Sequence, residues 1–377
     1  MKAVEFLQVA GMALLGIYIS PAQAQETIRI GAANPLTGGL AAMGKDAENG
    51  TRLAIEEINA SNLVVGGQKI TLQLDAKDDA GDPRTATIIS QALVDDNVAA
   101  VVGHLNSGCT IPASKAYSEA GIVQLTTSTN PAYTLQGFKT TYRLTATDAQ
   151  QGPALANYVV KKLKAKNVAV VDDATAYGQG LADEFAKAIG TLGGEVASRD
   201  ATNDKAVDFR AILTKIKGEN PDVIMFGGAD AGAGPFAKQA KQLGLRAKIV
   251  GGDGVCTEKL AELAGDAADN VVCSEAGAPL EKMPGGNAFD KKYVKRFGQP
   301  IQAFAPYDYD AVYIIVDAMK RANSTDKAKI VAAMPATAYE GVAGKYSYDS
   351  KGDLAHGTIS MFTYVSGKKR FLEEFKL

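Results

Sequence analysis

The chain has 377 residues, which is too long for one ordinary hydrophobic core, so two lobes are expected. Hydrophobic residues make up 46% of it and charged residues 22%, proportions typical of a globular protein with a buried core. The net charge is −2 and the lysines and arginines are scattered, which excludes a basic face of the kind that binds nucleic acid.

Residues 1–24 have the pattern of a secretory signal peptide. Lys2 precedes an apolar stretch at residues 6–19, and Pro21 and an Ala-Gln-Ala triplet follow it. The stretch is shorter than the ~20 apolar residues that a membrane span needs. We therefore expect export by the Sec route with cleavage after Ala24, rather than a membrane anchor.

From residue 27 onward, apolar strands alternate with amphipathic helices. Strands are predicted at residues 28–32, 70–75, 99–102, 122–125, 168–171, 194–198, 223–226, 248–250 and 271–274. Helices are predicted at residues 47–59, 85–95, 152–163, 180–192, 209–217, 235–243, 307–321 and 324–333. This alternation indicates parallel sheets covered by helices, and the tail at residues 346–377 has the glycine turns of hairpins.

The alternation is interrupted near residues 145–148, 275–279 and 341–344. We predict an α/β fold of two Rossmann-like lobes with parallel central sheets, joined by a hinge of three segments, with a ligand between the lobes. The predicted lobes are an N-terminal one (residues 25–147 and 276–340) and a C-terminal one (residues 148–275 and 341–377).

Two strands of the first lobe run into small hydroxyl residues. Ser107 follows the strand at 99–102, and Thr129 follows the next strand, at 122–125. Consecutive parallel strands end at the same edge of a sheet, where backbone N–H groups at a helix N-terminus can bind a carboxylate. Helix capping alone is an equally good explanation of these clusters.

Three further residues are candidates for contacts with a ligand. Asp253 follows a strand of the second lobe and would face an ammonium group across the cleft, or form an Asx turn. Tyr177 follows another strand end and would close over a ligand, or pack against the hinge. Phe304 precedes the long helix at 307–321 and would line the pocket floor, or belong to the core.

Enzyme motifs have little support. Residues 232–237 (Gly-Ala-Gly-Pro-Phe-Ala) match a loose dinucleotide-binding pattern, but residues 227–231 separate them from the preceding strand. His104 lies near Ser107 without the Gly-x-Ser-x-Gly elbow of a serine hydrolase and is expected to be a satisfied histidine at a strand end. No His, Cys or carboxylate cluster has the spacing of a metal site. We expect neither catalysis nor a cofactor.

The three cysteines divide into a pair and a single residue. Cys256 and Cys273 flank one predicted helix, and export permits a disulfide between them, which would stabilise the fold by about 3 kcal/mol. Cys109 is expected to be a small buried residue at a helix start, because no basic side chain beside it would lower its pKa.

Several short segments, in order, resemble the periplasmic leucine/isoleucine/valine-binding proteins of branched-chain amino-acid ABC transporters, over nearly the whole mature chain. They are residues 34–39 (Asn-Pro-Leu-Thr-Gly-Gly), 50–59, 78–83, 103–107, 134–142, 148–152, 177–181 and 252–255. The resemblance implies the type I periplasmic binding protein fold.

The resemblance also implies a role for each residue around the ligand head group. Ser107 and Thr129 would bind the α-carboxylate. The backbone carbonyl of Ser128 would accept a hydrogen bond from the ammonium group, and Asp253 would supply its counter-charge.

The resemblance further implies that Tyr177 closes over the ligand and that Phe304 occupies an apolar position of the pocket. Met43 and Ala229 stand where aromatic residues of the family occur. The pocket is therefore expected to differ in size or shape from that of other family members, and the preferred side chain stays open.

The function implied is that of a periplasmic binding protein that captures branched-chain or other hydrophobic L-amino acids and delivers them to the permease subunits of an ABC transporter. We expect a monomer with no nucleic-acid partner. Two alternatives stay open: a binding protein for a ligand without an ammonium group, such as an aromatic acid or amide, and a nucleotide-dependent enzyme built on residues 232–237.

Overall fold

A computed structural model describes residues 26–376, and the predicted signal peptide lies outside the described residues. The described chain contains a six-stranded sheet, a seven-stranded sheet and a small two-stranded one. The two large sheets form the centres of the two lobes.

The first lobe begins with alternating strands and helices. They are β1 (Glu26–Asn34), α1 (Ala41–Ala60), β2 (Val64–Val65), β3 (Gln68–Asp78), α2 (Pro83–Asp95), β4 (Ala100–Gly103), α3 (Ser107–Glu119), β5 (Val123–Thr126), α4 (Ala132–Leu135) and β6 (Thr141–Arg143). The sheet order is β2-β3-β1-β4-β5-β6, and every pairing except β2–β3 is parallel. Strands β4 and β5 are buried throughout, as expected for parallel strands covered on both faces.

The second lobe repeats this pattern. Its elements are α5 (Asp148–Lys161), β7 (Asn167–Asp172), α6 (Ala176–Thr191), β8 (Glu195–Ala201), α7 (Arg210–Glu219), β9 (Val223–Gly227), α8 (Asp230–Gln242), β10 (Lys248–Gly251), α9 (Glu258–Ala264) and β11 (Val271–Glu275). Strands β8, β7, β9, β10 and β11 lie side by side in that order and run parallel.

After β11 the chain returns to the first lobe and then ends in the second. The remaining elements are α10 (Gly286–Phe297), α11 (Ala305–Ala322), α12 (Lys327–Ala333), β12 (Tyr339–Glu340), β13 (Lys345–Tyr346), β14 (Thr358–Val365) and β15 (Lys368–Lys376). Helix α11 packs closely on α1, and β14 and β15 form an antiparallel hairpin that extends the second sheet beside β11. The architecture confirms the predicted α/β class with parallel-dominated sheets.

The third crossing between the lobes comes later than the predicted residues 341–344. The buried carboxylate of Asp310, in α11, accepts hydrogen bonds from the backbone N–H groups of Val342 and Ala343 (2.7 and 2.8 Å) and from the Tyr346 hydroxyl (2.9 Å). These bonds fix the β12–β13 hairpin against the first lobe. Leu354 still packs against the same core, so the chain reaches the second lobe only at β14.

Several elements of the first lobe lie outside the predicted ranges, among them β2, α3, α4, β6 and α10. Strand β6 has only three residues, and α10 is rich in lysine and arginine, yet α10 buries Phe289 and Tyr293 against the first core. Among residues 26–376, no helix combines the length and the apolar character needed to cross a membrane.

The predicted disulfide is confirmed. Cys256 and Cys273 are bonded, with their Cα atoms 5.3 Å apart and a sequence separation of 17 residues, and Cys109 is free and buried. The bond ties the loop after β10 to β11, so it lies directly behind Asp253.

Removal of this disulfide should destabilise the protein. Replacing Cys256 and Cys273 together by alanine is expected to lower the free energy of unfolding by about 3 kcal/mol, because the unfolded chain is no longer restricted by the closed loop. Urea denaturation followed by circular dichroism measures this. The wild type in reductant serves as the matched comparison, and equal midpoints with and without reductant would contradict the expectation.

Candidate functional site

A cavity of about 190 Å³ lies between the two lobes. Loops that follow β1, β3, β4 and β5 line it from the first lobe, and loops that follow β7, β8, β9 and β10 line it from the second. The cavity therefore lies at the carboxyl ends of both parallel sheets, where ligands bind in open α/β folds. All the residues predicted to contact a ligand line it: Met43, Ser107, Ser128, Thr129, Tyr177, Ala229, Asp253 and Phe304.

The first-lobe wall offers hydrogen-bond donors. Ser107 is the first residue of α3, and the helical bonds begin only at the Cys109 N–H, so the N–H groups of Ser107 and Gly108 form no hydrogen bond within the described residues. The Thr129 hydroxyl is buried and also has no partner there. Among the residues of this wall none carries a charge. The wall is therefore suited to an anion such as a carboxylate.

Ser128 and Asn130 support Ser107. The Ser107 Oγ accepts hydrogen bonds from the Ser128 hydroxyl (3.0 Å) and from the Asn130 backbone N–H (3.3 Å). These bonds join the strand ends of β4 and β5, as the spacing of the two hydroxyl clusters predicted.

The carbonyl of Ser128 has a partner within the protein that the sequence did not indicate. It accepts a hydrogen bond from the guanidinium of Arg143, which also donates to the Asn130 carbonyl (3.0 Å) and to Asp353 (2.8 Å). A carbonyl oxygen can accept two hydrogen bonds, so the bond from Arg143 leaves one acceptor position, and the role of the Ser128 carbonyl toward an ammonium group stays a prediction. Sequence analysis missed Arg143, which is fully buried in β6.

The second-lobe wall presents Asp253. Its Oδ1 accepts hydrogen bonds from the Gln151 side chain and from the Tyr177 hydroxyl, both at 2.9 Å. Its Oδ2 forms none within the described residues. Burial raises the pKa of Asp253, and the bonds from Gln151 and Tyr177 act in the opposite direction because they favour the charged carboxylate. One oxygen is thus held by the protein and the other is free for a ligand.

Gln151, in α5, orients this carboxylate and was not predicted. Its amide oxygen accepts hydrogen bonds from the Asp253 N–H (3.1 Å) and the Ser274 hydroxyl (2.6 Å), while its amide nitrogen donates to Asp253 Oδ1. The signal available in the sequence was its position within residues 148–152, a segment that carried the family resemblance without an assigned role.

The floor of the cavity is apolar. Met43, Leu105 and Phe304 are buried together, and Leu40 and Ala229 pack against them. This places the predicted side-chain pocket residues in one cluster. The opposite rim is polar and is lined by Asp173, Thr175, Asn203, Asp204 and Lys205.

A second buried carboxyl group lies where the chain first passes from the first lobe to the second. Asp148 begins α5, and neither of its oxygens has a hydrogen-bond partner within the described residues. Burial raises the pKa of Asp148 to about 8, and the Asp253 carboxylate adds to that increase. Because Asp253 receives two hydrogen bonds and Asp148 none, the negative charge of the pair is favoured on Asp253.

The enzyme motifs do not form a reaction centre. Residues 232–237 lie inside helix α8 instead of in a strand-to-helix turn. His104 is buried between Asp79 (Nδ1 to Oδ2, 2.6 Å) and the Tyr117 hydroxyl (3.1 Å), as expected for a satisfied histidine. Burial raises the pKa of the Cys109 thiol. Residues 26–376 contain no group of side chains that could hold a metal ion.

Known proteins are similar to this chain in sequence and in architecture. A family described as periplasmic binding protein matches residues 27–369. The Leu/Ile/Val-binding protein homolog 1 of Brucella abortus (strain 2308) is 34% identical over 360 residues, which cover 95% of this chain and 96% of the relative. A leucine-, isoleucine-, valine-, threonine- and alanine-binding protein of Pseudomonas aeruginosa is 33% identical over 356 residues, 94% of each chain.

A solved structure of a protein with a related name has a similar fold. The branched-chain amino acid transporter substrate binding protein LivJ from Streptococcus pneumoniae, in complex with isoleucine, is similar to this chain with a TM-score of 0.85 and 30% sequence identity. The similarity covers 93% of this chain and 100% of that one.

The buried Asp148 should make stability depend on pH. Its pKa is higher in the folded protein than in the unfolded chain, so the folded state binds more protons between about pH 4 and pH 8 and stability falls as the pH rises through that range. Asp148→Asn should remove this contribution. The difference in free energy of unfolding, variant minus wild type, should therefore be larger at about pH 8 than at about pH 5. Urea denaturation without ligand measures this difference.

Asp208→Asn is the control for this experiment. Asp208 is exposed and Arg210 lowers its pKa to about 2, below the range tested, so its replacement should give no pH-dependent difference between about pH 5 and pH 8. A constant difference between Asp148→Asn and the wild type across the range would show that Asp148 does not hold a raised pKa.

Proposed function

Because the chain belongs to the periplasmic binding protein family, we propose that it captures a branched-chain or other hydrophobic L-amino acid and delivers it to the permease of an ABC importer. The names of its relatives and the isoleucine bound to the pneumococcal protein support this ligand class. The family is one of periplasmic solute-binding proteins, and residues 1–24 are proposed to direct Sec export.

The observation that carries the proposal is the polarity of the cleft. Hydrogen-bond donors line the first-lobe wall at Ser107 and Thr129, and the Asp253 carboxylate, bonded to the protein through Oδ1, lies on the second-lobe wall. An α-amino acid carries an anion and a cation on one carbon atom together with its side chain. The two walls match the two charges, and the apolar floor matches an aliphatic side chain.

The size of the cavity agrees with a small ligand. A dry apolar cavity of about 150 Å³ takes up benzene, so the cavity of about 190 Å³ is on the scale of leucine or isoleucine. Met43 is unbranched and adaptable, which would allow the floor to fit side chains of different branching.

Each predicted site residue then has a proposed role. Ser107 and Thr129 bind the α-carboxylate, and Asp253 binds the ammonium group. Tyr177 acts chiefly by donating its hydroxyl to Asp253, and Ser128 by donating its hydroxyl to Ser107.

The apolar residues would select the side chain. Phe304 and Met43 contact it, and Ala229 leaves space beside them. A ligand that touches both walls binds the closed form more tightly than the open form, so binding closes the lobes. We propose that the closed monomer is what the permease recognises.

Loss of the Asp253 charge should abolish tight binding of amino acids. In isothermal titration calorimetry, Asp253→Asn is expected to weaken L-leucine binding by about a hundredfold or more, because the ammonium group is left buried without a counter-charge. 4-Methylpentanoate, which is leucine without its ammonium group, should bind the wild type weakly, and the variant should not discriminate against it. Asp208→Asn, on the exposed surface, should bind leucine like the wild type.

Three results would contradict the proposal. Equal binding of leucine by Asp253→Asn and the wild type would show that the Asp253 carboxylate does not bind the ligand. Tight binding of 4-methylpentanoate or of an aromatic acid, without leucine binding, would favour a ligand that lacks an ammonium group. Thermal stabilisation by NAD without any response to amino acids would favour the nucleotide-dependent alternative.

A further inference from the structure

Asn130 connects the two walls of the cleft. Its backbone N–H donates to Ser107 Oγ (3.3 Å) in the first lobe, and its side-chain Nδ2 donates to the carbonyl of Ala176 (2.7 Å) in the second. Ala176 begins α6 and is followed by Tyr177, whose hydroxyl holds Asp253. One residue therefore contacts both the proposed carboxylate site and the helix that supports the proposed ammonium site.

The orientation of this side chain is fixed from the first lobe. The Asn130 Oδ1 accepts a hydrogen bond from the Ala132 N–H (2.9 Å), which directs Nδ2 toward the second lobe. Arg143 donates to the Asn130 carbonyl (3.0 Å) and holds the backbone. Of the hydrogen bonds that Asn130 forms within residues 26–376, the one to Ala176 is the bond that crosses between the lobes.

Gly180 allows the lobes to approach at this point. It lies within α6, and a Cβ atom there would be 2.4 Å from Asn130 Nδ2 and 3.6 Å from Asp148 Oδ2. Glycine is a poorer helix former than alanine, so α6 gains no stability from it. The close approach of Asn130 gives the glycine a physical reason, since even a methyl group would displace the amide that bonds to Ala176.

We propose that Asn130 is a positioning residue that couples the carboxylate site to lobe closure. The bond to Ala176 forms only when the lobes meet, so it stabilises the closed form and not the open one. Because Asn130 also donates to Ser107, a carboxylate bound there acts on a residue that is part of the closure contact. The proposal rests on the proposed function, in which the ligand carboxylate binds at Ser107.

Ligand-release kinetics test the coupling. Asn130→Ala and Gly180→Ala should each release L-leucine about two to ten times faster than the wild type in stopped-flow experiments, the range expected for one net hydrogen bond. Association rate constants should stay unchanged, because the contact forms after encounter. A residue with a merely structural role would not split the two rates in this way.

The double variant and a control sharpen the test. Asn130→Ala combined with Gly180→Ala should release leucine no faster than Asn130→Ala alone, because the group that the new methyl would strike is gone. Gln136→Ala is the matched control. The Gln136 side chain forms its hydrogen bonds within the first lobe, for example to Ser114 Oγ (2.8 Å), and its loss should leave release unchanged.

A measurement without ligand separates this proposal from the proposed function. Spin labels on cysteines introduced at Ile88 and Val207, which are 69% and 74% exposed in different lobes, report the distance across the cleft. Asn130→Ala and Gly180→Ala should reduce the population at short distances. If the wild type binds none of leucine, isoleucine and valine, the proposed function fails and these distances alone decide the coupling. If both variants have the same distances and release rates as the wild type, the proposed coupling is overturned.

Discussion

The cleft wall of the second lobe depends on the buried carboxylate of Asp253, one oxygen of which is held by donors from two helices. Burial raises the pKa of Asp253, and Gln151 and Tyr177 offset that effect by donating hydrogen bonds to Oδ1. These donors come from α5 and α6, and the Cys256–Cys273 disulfide fixes the loop behind the acid. The other oxygen forms no hydrogen bond within residues 26–376, and in the proposed function a ligand ammonium group donates to it.

The first lobe complements this acid without using a charged side chain at the cleft wall. Its donors are the hydroxyl groups of Ser107 and Thr129 and the free N–H groups at the start of α3. The buried guanidinium of Arg143 holds the backbone carbonyls behind them. In the proposed function, the donors on one wall and the acid on the other fix the orientation of a zwitterion independently of its side chain.

Much of this arrangement could be predicted because parallel sheets place successive strand ends at one edge. The apolar runs located the parallel strands of both sheets except β6, and from them followed the positions of Ser107, Thr129, Tyr177 and Asp253 at the cleft. Interactions between distant side chains could not be predicted. Arg143 pairs with carbonyls through a buried contact that has no local pattern, and Gln151 bonds to an acid about a hundred residues later in the sequence. The third crossing was misplaced for the same reason, since Asp310 fixes the β12–β13 hairpin from α11.

The central claim is that one L-amino acid joins the two walls through its head group. A crystal structure of the protein with L-leucine tests it most directly. The account predicts the α-carboxylate within hydrogen-bond distance of the Ser107 and Thr129 hydroxyls, the ammonium group at Asp253 Oδ2, and the side chain against Phe304. Leucine bound in the reverse orientation, or bound without contact to Asp253, would contradict it.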